Sequence, residues 1–233
     1  MSYFGTILSA LILVWIGISP IQQVQGSAPT VRDVFAAANI SDLRQYPDDF
    51  LNTPVTPSPG KKYFQASYHI NPSAEALYVI SRDLKIVGEL NGWELLTLPD
   101  ESIVYHRNQV HFAPTHALEI AVFDPESRQD RVIYPPAPTE PVRQAFIDRV
   151  AAVYRERGEA WFREHNHHMD PQMFDSRLIG DPTLDLRNQT ITFTVQYGDP
   201  DNASDPLPFM ERVRVTCSPI NSPVRLRCHE SRS

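Results

Sequence analysis

Helix-spaced apolar residues dominate the stretch from Thr139 to Pro171, where Val142, Phe146, Val150, Val153, Tyr154 and Trp161 recur at steps of three, four and seven. That spacing draws an apolar stripe along one side of a helix and leaves the other side charged. Thr139 can cap the first turn through its hydroxyl, Glu140 lies near the positive end of the dipole, and Pro141 is tolerated where early N–H groups have no intrahelical partner. Gly158 costs about 1 kcal/mol relative to alanine in a helix interior, so the pattern reads either as one helix over 139–165 with a kink at Gly158, the preferred form, or as two segments bending there. Asn166, the neighbouring histidines and Pro171 mark its end.

On either side of this helix the period changes to two. Strands are expected at Tyr63–Ile70, Ala76–Ile80, Lys85–Leu90, Gly92–Leu98, Ser102–Tyr105, Glu119–Phe123 and Arg131–Tyr134, with Asn91-Gly92 as a hairpin turn. After the helix, residues 172–187 read as loop and short turns, followed by strands at Thr190–Tyr197, Met210–Cys217 and Val224–Cys228. The fold class this implies is α+β. An antiparallel meander over 62–135 is covered by the helix and followed by C-terminal strands over 190–229, all within one globular domain from 62 to 233. The helix stripe is expected to bury itself against the meander.

The successive segments WELLTLPDESIVYHRNQV and LEIAVFDPESRQDRVIY, within residues 93–134, resemble a blade of a β-propeller. In such blades a Pro-Asp-Gly turn precedes one strand and an Asp-Pro-x-Ser/Thr turn joins the outer two. Glu101 stands where these repeats usually have glycine, and a closed propeller needs about four or more four-stranded blades. The resemblance therefore implies local strand geometry, and neither a ligand nor an activity.

The N-terminal pattern is different again. Residues 1 to 31 carry no charged side chain, and the apolar run from Ile7 to Ile18 has the length of a signal-peptide core rather than of a membrane span. Pro20 ends the run, and Val24 and Gly26 suit cleavage after residue 26. The expectation is a signal peptide over 1–26 and an exported chain, periplasmic or extracellular, with no stable membrane span after cleavage. A retained N-terminal anchor is the alternative. Residues 27–61 read as a proline-rich lead-in arm with a short helix at Val31–Ala38, which either packs on the surface or acts as a semi-rigid spacer.

Composition adds two exclusions. A net charge of −7 gives no basic stripe of the kind nucleic-acid binding needs, and no phosphate-cradling glycine loop, dinucleotide fingerprint or nucleophile elbow is present. Cys217 and Cys228 are the two cysteines, and in an exported chain such a pair is expected to form a disulfide.

Candidate metal chemistry rests mainly on the run HNHHMD, where His165, His168 and Asp170 are the residues best able to converge on zinc or another divalent metal once the helix has unwound. His167 projects away, and the order departs from H-E-x-x-H. His106, His111 and His116 form a second group at steps of five, which a straight strand does not bring to one face. Two functions follow. The first is a non-enzymatic exported protein that binds a protein or cell-envelope partner; the second is a metal-binding protein or metal-dependent hydrolase using 165–170.

Overall fold

The computed structural model describes residues 28–71, 74–107, 118–136, 139–164, 176–198, 211–221 and 225–232. Within these, antiparallel sheet predominates and helices are few. One sheet has seven strands in chain order: β1 Thr56–Pro57, β2 Tyr63–Asn71, β3 Ala74–Ser81, β4 Ile86–Thr97, β5 Ile103–Arg107, β6 Ile120–Asp124 and β7 Gln129–Tyr134. The other has four, β8 Ser176–Asp185, β9 Thr190–Tyr197, β10 Glu211–Ser218 and β11 Arg227–Arg232, arranged β11-β10-β9-β8. The helices are α1 Val31–Ala37, α2 Asp48–Leu51 and α3 Pro141–Glu164.

Asn91-Gly92 is not a hairpin turn. It lies inside the 12-residue strand β4, whose first half pairs with β3 and whose second half pairs with β5 from Gly92↔Arg107 to Thr97↔Ile103. Gly92 has φ 153°, and a Cβ there would stand 1.9 Å from the His106 carbonyl oxygen. The glycine permits a close backbone approach where the strand passes from pairing with β3 to pairing with β5, dividing the sheet into two halves. Those halves then share a core. Leu77, Val79 and Leu90 from one side pack with Ile103, Tyr105, Ala121 and Phe123 from the other.

Residues 31–55 pack against the other face of β2 and β3. Thr30 and Asp33 form a capping box that starts α1, and Val31, Val34 and Phe35 are buried with Phe50, Leu51, Ala76, Tyr78 and Ile80. The rings of Phe35, Tyr46, Phe50, Tyr68 and Tyr78 lie at centroid separations from 4.6 to 6.3 Å. Prolines do not keep this segment wholly extended, because Pro47 occupies the N-cap of α2 and so precedes the helical turn instead of interrupting it.

The helix takes one of its two expected forms and departs from expectation in what it packs on. Gly158 has φ 83° and ψ 168°, outside the helical region, so α3 is two helical segments meeting at a kink there. Its named partners belong to the four-stranded sheet: Phe146 lies 5.2 Å from the Tyr197 ring, Arg149 pairs with Glu211 at 2.7 Å, and Glu140 with His229 at 3.0 Å. The meander is covered largely by that sheet. Val104, Ile120, Val122 and Tyr134 share a core with Ile191, Phe193, Val195, Val213, Val215, Phe146 and Val150. Strict alternation on β9 and β10 supplies a broad apolar face, whereas α3 buries only Phe146 and Val150 fully among its described side chains.

A third correction concerns residues 172–187, where β8 replaces the expected loop. Its pairing with β9 shifts between Ile179 and Thr183, around Gly180 at φ 69°, and this irregularity hides the alternation in the sequence. The last strand likewise runs over Arg227–Arg232 rather than Val224–Cys228. The described residues between 93 and 134 contain the end of β4 and the antiparallel strands β5 to β7, a pattern shared by many β folds and not particular to a propeller blade. Among the described residues no helix is long and apolar enough to cross a membrane.

Candidate binding cleft between two sheet edges

β7 and β11 are edge strands of their respective sheets, and Arg131 reaches from the first to the backbone just before the second. Between them lies a cleft of about 510 Å³ lined by Arg131, Val132, Ile133, Pro135, Pro136, Glu140, Leu226, Arg227, Cys228 and His229. Its apolar wall comes from the end of β7 and the proline pair. Its polar wall comes from alternation on β11, where Arg227 and His229 point outward while Cys228 and Glu230 point into the core.

The two arginines meet on one acceptor. Nη2 of Arg131 and Nη1 of Arg227 each donate to the Leu226 carbonyl oxygen at 3.0 Å. Burial lowers the pKa of Arg131, and the positive charge of Arg227 lowers it further. Across the cleft, Glu140 Oε1 lies 3.0 Å from Nδ1 of the largely exposed His229.

Behind the cleft runs a buried polar chain. The Tyr134 and Tyr197 hydroxyls are 2.8 Å apart, and the Tyr197 hydroxyl donates in a short bond to Glu230 Oε1. Both tyrosines are fully buried and Glu230 is 8% exposed. Burial raises both phenol pKa values well above the ordinary range, with the neighbouring Glu230 charge adding to the effect. The hydroxyls therefore stay protonated and serve as donors. Glu230 Oε2 has no partner among the described residues.

Cys217 and Cys228 are directly opposite across β10 and β11 and form the expected disulfide, buried in the core. His165, His168 and Asp170, with His167, His111 and His116, lie outside the described residues. His106 is described: its ring lies 4.1 Å from that of Trp93, tilted by 57°, and burial pushes its pKa down to about 4. No group of three or more His, Cys, Asp or Glu residues able to hold a metal occurs among the described residues. Arg131 and the acceptor it shares with Arg227 are 95 residues apart, and no local spacing announces such a pairing. Glu230 lies on the same strand face as Cys228, two residues beyond the end of the strand expected at Val224–Cys228.

No family model, curated protein or solved structure matches this chain.

Proposed function

We propose that this is an exported, non-catalytic binding protein whose partner engages the cleft between β7 and β11. The cleft carries the reading. Its volume falls within the roughly 300 to 1,000 Å³ typical of ligand pockets, and it combines an apolar wall with a few converging polar groups. The tyrosine pair behind it is held protonated, which suits a brace for the two sheets better than a proton-transfer role. Export is supported by the disulfide and by the signal-like run from Ile7 to Ile18. A cell-envelope component or a secreted protein is the class of partner this location offers.

The test is a ligand-observed NMR screen of neutral and anionic fragments against the full chain recovered from the exported fraction, repeated with Val132→Trp, which fills the cleft. Binding that disappears in Val132→Trp is the expected result. Fragments that bind equally well to both forms, or no binding at millimolar concentrations, would overturn the reading. N-terminal sequencing of the same material should begin near Ser27, and a chain beginning at Met1 would remove the exported form.

A further inference from the structure

We propose that the cleft selects an anionic group, a carboxylate or a phosphate, held between the guanidinium groups of Arg131 and Arg227; this rests on reading the cleft as a binding site. Two guanidiniums that donate to a single carbonyl oxygen are brought close with like charge, and an anion placed between them offsets that repulsion. Each arginine presents a planar fork of N–H donors, the geometry that matches carboxylate and phosphate oxygens in pairs. Among the described lining residues the acidic group is Glu140, which pairs with His229.

The surroundings carry the same sign. On the outward face of the four-stranded sheet, Arg227 stands opposite Ser218, His229 opposite Thr216, and Ser231 opposite Arg214, while Arg212 lies opposite Gln196. None of these outward positions on β10 and β11 is a carboxylate, although the chain as a whole has a net charge of −7. This basic, hydroxyl-rich face leads into the cleft through Arg227 and His229, and it raises the local concentration of anions at the cleft mouth. Two arginines lining one cleft set it apart from a chain whose net charge is −7.

The proposal is tested by isothermal titration of citrate and, separately, of inorganic phosphate into the full chain, with Arg227→Gln, Arg131→Lys and Arg214→Gln as variants. Arg227 is exposed, so Arg227→Gln leaves the fold intact and decides the matter even if changes at Arg131 disturb packing. At least one anion should bind, Arg227→Gln should weaken it at least about tenfold, and Arg131→Lys should weaken it by keeping charge while losing the fork. Arg214→Gln, outside the cleft, should change affinity less than about twofold. Preference for citrate over phosphate, or the reverse, distinguishes the two anion sources. Equal losses in Arg214→Gln and Arg227→Gln would show diffuse surface attraction and overturn the proposal, as would failure of both anions to bind. Neutral fragments that occupy the cleft when neither anion does would sink this inference while leaving the binding reading in place.

Discussion

The hydroxyls of Tyr134 and Tyr197, 63 residues apart in the chain, meet at 2.8 Å and join the last strand of the seven-stranded sheet to the four-stranded one. Tyr197 also donates to Glu230, so its oxygen is the middle of a three-residue chain in which the carboxylate depends on it. Tyr197→Phe should therefore cost more than Tyr134→Phe: about 1 to 3 kcal/mol when a buried acceptor is left unpaired, against about 0.5 to 1.5 kcal/mol for a hydrogen bond lost at the end of the chain. Urea denaturation of the two variants measures the difference, and equal costs would mean that Glu230 finds another donor.

Acid should weaken the fold through His106. The unfolded chain protonates this ring near pH 6.5, whereas the folded chain, having buried it, protonates it only near 4. The unfolded state thus binds more protons between those values, so the contribution is fully present above pH 6.5 and is lost as pH falls toward 4. Its size is on the order of 3 kcal/mol over that window. Denaturation midpoints for the unmodified chain and for His106→Gln, followed from pH 7 to pH 4, check the effect. The variant should lose part of the slope, and an unchanged slope would place the acid sensitivity in other groups.

Several turns place non-glycine residues in the left-handed region, among them Lys61 at φ 59° and Arg128 at φ 57°, both exposed. An L-residue there costs about 1 to 2 kcal/mol, partly offset by the greater unfolded-state freedom of glycine. Lys61→Gly and Arg128→Gly should each stabilise the protein by about 0.5 to 1 kcal/mol. Gly92→Ala should act in the opposite direction by more than about 2 kcal/mol, because its Cβ would run into the His106 carbonyl. Thermal melts of the three variants check both signs together, and destabilisation by both loop glycines would contradict the turn geometry.

Alternation was enough to place most of the strands, and for Thr190–Tyr197 it marked both ends, because Ile191, Phe193, Val195 and Tyr197 all face one core without a bulge. It failed where the backbone departs from a regular pleat. At Gly180 an irregular register concealed β8, and at Gly92 a change of pairing partner inside a strand carried the same dipeptide that makes a hairpin elsewhere. The stripe on α3 was visible from Val142 to Trp161, yet periodicity names a buried face without naming what buries it; here that is chiefly the Tyr197 side of the second sheet. The Cys217–Cys228 pair was legible because compartment and count suggested it. The cleft was not legible, since Arg131 and Arg227 come together only through the packing of two sheet edges.

Hydrogen exchange on the full chain with and without the tightest-binding fragment tests the central claim most directly, because the cleft is made from backbone at two edge strands. The account predicts slower exchange at the amides of Val132–Tyr134 and Arg227–His229, with the segment over 31–55 unchanged. Unaltered exchange at both edges while protection appears elsewhere would contradict it.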